Sequence, residues 1–175
     1  MGSFTEFIAA FEIRPDAPDE VLAVFAPFRA DDEQALPSLP DLDEDELTVL
    51  EEFLEIAYYD EVDLAGVSTR VLSHLWKDAF SDFWPVGFSG SPSTVLRRHA
   101  DSWHVTTRTY FKSYADPICS VFAPLANFIC PWAGPDHPSF VGYLRFEGDD
   151  RPILVWHHGG ATFVYEDSRE RPSDG

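Results

Sequence analysis

From Phe4 to Arg14 apolar and polar positions alternate, with Phe7, Ala9, Phe11 and Ile13 on one side and Glu6, Glu12 and Arg14 on the other. A period of two is the mark of a half-buried strand. The run Pro15-Asp16-Ala17-Pro18-Asp19-Glu20 then supplies a turn, a proline at the first helical position and acids where the helix dipole favours them. Val21, Val24, Phe25 and Phe28 follow at helical spacing, and Pro27 is expected to end or kink that helix. The same grammar returns later. Trp103–Lys112 alternates as a strand, and Asp116 and Pro117 read as an N-cap and first helical position. Ile118, Val121, Phe122, Leu125, Phe128 and Ile129 then make an apolar stripe.

The parallel between the halves extends beyond element type. The tetrapeptide VFAP occurs in both helices, at Val24–Pro27 and Val121–Pro124. Pro85-Val86-Gly87-Phe88 is similar to Phe140-Val141-Gly142-Tyr143, and Thr94–His99 to Ile153–His158. Each is followed by two turn residues (Ala100-Asp101; Gly159-Gly160) and another aromatic, β-rich run. Each half therefore reads strand, helix, strand, strand, strand, and the stretch Ser102–Tyr114 closes one unit while opening the next. The pattern predicts an α+β fold, an antiparallel sheet with helices on one face built from two βαββ-type repeats. A ferredoxin-like relative is the expected topology.

The halves differ in one connection. The second needs only Cys130–Ser139 between its helix and its next strand, whereas the first uses Ala30–Trp84, an insertion of about 45 residues. Residues 1–175 are expected to form a single domain, with 30–84 as an acidic helical insertion and 168–175 as a flexible tail. Inside the insertion Pro37-Ser38-Leu39-Pro40 is a rigid connector. Asp43–Tyr58 reads as a helix with Leu47, Leu50, Phe53, Leu54 and Ala57 on one face. Ser68 caps a second, in which Leu72, Leu75, Trp76, Ala79 and Phe83 face inward, and the pair would form an αα-hairpin on the sheet or its edge.

Charge sharpens this picture. The chain carries a formal −19, and sixteen acids between Asp31 and Asp82 face only Arg70 and Lys77, a local −14. Such a balance argues against direct contact with a nucleic-acid backbone, which depends on Lys and Arg displacing counterions. It argues equally against an anionic membrane surface, and leaves a cationic partner or plain solubility. No apolar run approaches the roughly 18 residues that span a bilayer, and the N-terminal stretch has no basic region of the secretory kind. A cytoplasmic protein is expected. With 45% hydrophobic and 15% aromatic residues it has ample material for a core.

The first candidate surface is therefore acidic: Asp41, Asp43, Glu44, Asp45, Glu51, Glu52, Glu55, Tyr58, Tyr59, Asp60 and Glu61 as a face for a basic partner. Asp41, Asp43, Asp45 and Glu52 partly mimic a calcium loop, but its sixth position, normally glycine, is Glu46. A second candidate is histidine-based. His99 and His158 end matched strands, with His157, Asp101 and His104 near them in sequence, the residue types of a metal site or general-base dyad. His157 and His158, being adjacent in a strand, should point to opposite faces. Cys130, Asp136 and His137 share a proline-rich loop where turn geometry accounts for the composition. Cys119 and Cys130 read as buried free thiols. Arg97, Arg98, Arg108, Lys112 and Arg145, with Tyr110, Tyr143 and Trp156, make a modest basic face expected to be neutralised by the acidic insertion. No phosphate loop, dinucleotide fingerprint, nucleophile elbow or zinc-finger spacing occurs. The expectation is a non-enzymatic acidic binding module, inhibitor- or immunity-like or nucleic-acid-mimicking, without metal or cofactor. The alternative is a small metal- or histidine-dependent enzyme or ligand binder with a pocket between sheet and insertion.

Overall fold

Strand β1 (Thr5–Ile13) takes the alternation literally, burying Phe7, Ala9, Phe11 and Ile13 on one face. The computed structural model describes residues 4–30, 35–56, 60–80, 93–111, 115–130, 137–147, 149, 151–158 and 162–167. Along the chain follow α1 (Asp19–Phe25), α2 (Glu44–Ile56), α3 (Thr69–Phe80), β2 (Val95–His99), β3 (Ser102–Phe111) and α4 (Ala115–Phe122). A two-residue β4 (Ile129–Cys130), β5 (Ser139–Phe146), β6 (Ile153–His158) and β7 (Thr162–Asp167) complete the described elements. The fold is α+β. The sheet is antiparallel in the order β2-β3-β1-β5-β6-β7, with β4 beside the end of β1.

Helices cover one face of that sheet. Phe11 and Phe25 meet at 5.9 Å, Phe25 and Phe80 at 5.0 Å, Phe80 and Phe122 at 5.0 Å, and Phe122 stacks on Phe7 at 5.0 Å. Phe80 of α3 thus sits between the two phenylalanines of the VFAP segments, joining α1 to α4. Full burial of each such ring contributes about 1.5–3 kcal/mol. Beside them Trp76 is fully buried and its indole N–H donates to the Val121 carbonyl at 2.9 Å, so the polar edge of the largest core side chain is satisfied.

The two VFAP segments perform the same local task. Both α-helices end on the phenylalanine, and Ala-Pro opens a 3-10 turn in each case, Ala26–Phe28 and Ala123–Phe128. The phenylalanines share nearly one conformation, φ −97 and ψ −6 at Phe25 against φ −89 and ψ −12 at Phe122. Proline ends the α-helix by lacking an N–H, while its fixed φ suits the tighter turn.

The helices of 30–84 behave differently from each other. In α3, Leu72, Leu75, Trp76 and Ala79 are buried as their spacing predicts, and Ser68 Oγ accepts from the Val71 N–H as a cap. That helix packs between α1 and α4 in the main core. By contrast α2 buries only Leu50. Leu47, expected to face inward, is 45% exposed, because it lies at the margin of the stripe centred on Leu50 and Phe53, beside Glu51. Helix α4 starts at Ala115, ahead of the expected cap at Asp116. Ala57, Phe83, Pro85–Phe88 and the tail 168–175 lie outside the described residues.

Candidate functional site

Helix α2 is positioned by its own cap and by α3. Asp43 Oδ1 accepts from the Glu46 N–H at 2.9 Å while Glu46 Oε2 accepts from the Asp43 N–H at 3.2 Å, a reciprocal capping box. The connector before it is strapped to α3: the Arg70 guanidinium donates to the Asp41 carbonyl and lies 3.5 Å from Glu46, and His74 Nε2 meets the Pro40 carbonyl at 2.9 Å. Since the helix begins at Glu44, Asp45 and Glu52 are helical residues, and the calcium-loop spacing has no loop to act in. Among the described residues no group of three or more His, Cys, Asp or Glu side chains is placed to hold a metal ion.

The sequence-predicted acids that the structure describes face solvent. Asp41, Asp43, Glu44, Asp45, Glu51, Glu52, Glu55, Asp60 and Glu61 are all exposed. At about 3.6 residues per turn, Glu44, Glu51, Glu52 and Glu55 fall on one side of α2. Leu47 and Ile56, 45% and 48% exposed, border that stripe. Tyr58 and Tyr59 lie outside the described residues.

Of the basic residues, Arg108 and Arg145 pair with Glu6 of β1 rather than with acids of 30–84. Glu6, on the face of β1 opposite Phe7 and Phe11, is only 4% exposed. Its Oε1 accepts from Arg108 Nε at 2.7 Å and from the Tyr110 hydroxyl at 3.2 Å, and its Oε2 lies 2.9 Å from Arg145 Nη2. The register puts Glu6 opposite Tyr110 on β3 and Arg145 on β5, so three neighbouring strands converge on one carboxylate. Burial first, then the Glu6 charge, push the Tyr110 phenol up from its ordinary pKa, so it stays a neutral donor. Arg98 pairs with Asp101 at 3.9 Å and lies over Trp103, as does Arg29. Arg70 pairs within 30–84, with Glu46. Lys112 lies outside the described residues. The sequence placed Glu6 on the solvent side of a strand and gave no sign of its enclosure.

The histidines are dispersed. His99 and His104 approach edge-to-face at 6.0 Å on β2 and β3. His158 lies on β6, four strand spacings from β2, or about 19 Å at roughly 4.8 Å each. His157 does point opposite to His158: it is 2% exposed, bonds the Ala126 carbonyl through Nε2 at 2.9 Å and packs on Phe163. A polar core contact of that kind anchors the 3-10 turn to the sheet. Cys119 and Cys130 are outside any disulfide, as expected, but half-buried rather than buried. Burial, and next the Glu12 charge, push the Cys130 thiol up, which disfavours the thiolate a nucleophile needs. His137 is exposed, and 131–136 lie outside the described residues. Among the described residues no helix is long and apolar enough to cross a membrane. No protein-family model, curated protein or solved structure matches this chain.

Proposed function

We propose that this protein is a non-enzymatic cytoplasmic binding module that engages a basic protein through the exposed face of α2 and the acids flanking it. The observation that carries the reading is the combination on one helix: a solvent-facing carboxylate stripe bordered by two exposed aliphatic side chains. Carboxylates steer a cationic partner and set its orientation, and a few desolvated apolar contacts hold it. Inhibitors, immunity-type proteins and mimics of nucleic acid share that division of labour. An αα-hairpin inserted into a duplicated core is the architecture this reading assumes, and the matched conformations of the two VFAP segments support the duplication.

The test is capture from native lysate with wild-type protein and with the quadruple variant Glu44→Lys, Glu51→Lys, Glu52→Lys, Glu55→Lys. Runs at ionic strengths of about 0.01 M and 1 M contrast Debye lengths of roughly 30 Å and 3 Å. The expected partner is basic, is held at low salt, and is lost with the variant or at high salt. A set of partners unchanged by the four reversals at low salt would overturn the proposal.

A further inference from the structure

A cavity of about 510 Å³ opens between the loop that joins α2 to α3 and the 3-10 turn Ala123–Phe128. That volume falls among ordinary ligand sites, roughly 300–1,000 Å³. Its walls are apolar, with Val67 and Leu72 on one side and Ala123, Pro124 and Phe128 on the other. Ala123 is exposed, and Val67, Pro124 and Phe128 are half-buried, so apolar surface here meets solvent. Asp63, Thr69, Ser120 and Asn127 are the polar minority of the described lining.

The loop wall is fixed in shape. Val62 and Leu64 are buried beneath it, and the Val62 N–H donates to Ser120 Oγ at 3.2 Å, tying the loop to α4. The Val67 N–H closes a turn onto the Leu64 carbonyl at 3.2 Å, and Gly66, at φ +80, takes the third position of that turn, where glycine is favoured. A Cβ built on Gly66 would meet nothing within 4 Å, so the rim is open at that point. Asp60, Glu61 and Asp63 are exposed along the rim, and none of the described ion pairs involves them. Asp63 Oδ1 accepts from the Ala65 N–H at 2.9 Å, a bond from a neutral donor that leaves the carboxylate charge in place. The cations at the margins are engaged. Arg14 donates to the Asn127 carbonyl at 3.3 Å and forks onto Asp16 at 2.9 and 2.7 Å, while Arg70, next to Thr69, lies 3.5 Å from Glu46. An apolar groove under an acidic rim suits a ligand of converse pattern, with an aliphatic group to bury and cations beside it to meet the carboxylates. An acidic segment would bring like charges to the rim.

We propose that this groove seats an aliphatic side chain of the basic partner, from a short segment in which Lys or Arg flanks that side chain. It rests on the reading of α2 as the face for a basic protein, and adds the place where the partner's apolar anchor is buried. The two surfaces are continuous, because the loop runs on from the end of α2 and the Asp60 N–H still bonds the Ile56 carbonyl at 3.0 Å.

The probe is the acetylated, amidated pentapeptide Lys-Lys-Leu-Lys-Lys, titrated against the full chain while NMR follows the methyl shifts of Val67 and Leu72. Lys-Lys-Ala-Lys-Lys and Glu-Glu-Leu-Glu-Glu control for anchor and charge. Saturable binding of the leucine peptide is expected, with the alanine peptide about tenfold weaker and no binding of the acidic one. Ala65→Phe and Ala123→Phe, each on an exposed residue, fill the groove from its two walls and should erase the difference between the two basic peptides. Equal affinity of those peptides for the wild-type chain, preference for the acidic peptide, or a leucine preference that survives both fillings would each overturn the proposal. The α2 reading fails separately: capture unchanged by the four reversals removes it, whereas leucine-selective binding that is lost on filling the groove still upholds the groove.

Discussion

Glu6 is held between two half-exposed guanidiniums, and replacing it leaves both without their shared acceptor. Glu6→Gln keeps the shape and removes the charge. It should cost about 2 kcal/mol, the scale of hydrogen bonds to charged groups discounted for the exposure of the arginines; urea unfolding reads the difference. Gly142 is more exacting. A Cβ there would land on the Ile8 carbonyl and neighbouring backbone of β1, atoms that cannot swing aside. Gly142→Ala should therefore destabilise by about 3 kcal/mol or more, the upper range for overpacking. Asp78 supplies a pH signature. Burial raises its carboxyl above the ordinary value of 3.8, so between the unfolded and folded values the native state binds more protons. Stability is then gained as pH falls through that window and lost as it rises. Asp78→Asn should raise the melting temperature at pH 7 and flatten its rise on acidification towards pH 5, measured by calorimetry. At this scale the alternation in β1 did place Phe7, Phe11 and Ile13 inward. The fate of Glu6 was hidden because Arg108 lies 102 residues away, and only the strand order brings it alongside.

Helices α2 and α3 look alike as stripes on a helical wheel, yet one is peripheral and the other central. Leu75→Ala in α3 should cost about 2–5 kcal/mol and shift global unfolding, because Leu75 is fully buried beside Trp76. Asp43→Ala removes half of the α2 capping box, worth about 1 kcal/mol. Because α2 buries so little, that loss should appear as faster hydrogen exchange within α2 with little change in the global midpoint. The stripes were legible from sequence, and so were the Ser68 cap and the helix stop at Pro27. What a stripe does not encode is how much surface waits to receive it: Leu47 has the right spacing and stays 45% exposed. The cap at Asp43 needed only a three-residue relation to Glu46, which local sequence contains.

Across the molecule the acids are unevenly spread: sixteen of thirty-one lie between Asp31 and Asp82, while Glu6 and Glu12 share the sheet with arginines. Acids gather on α2 and its flanks, while Arg97, Arg98, Arg108 and Arg145 belong to the sheet. The composition disclosed the excess but not its distribution in space. Strand identity was readable through alternation and aromatic content, whereas the order β2-β3-β1-β5-β6-β7 was not, since antiparallel partners are chosen by long-range packing that no short window records. The position of β1 has a consequence for biosynthesis. Thr5 pairs with Phe111 on one side and Phe146 on the other, so the middle of the sheet leaves the ribosome first and waits for both neighbours. At roughly 5–20 residues per second, its apolar ribbon stays without partners for several seconds or more. A nascent chain of this protein should therefore be a client for holding chaperones until Phe146 has cleared the exit tunnel.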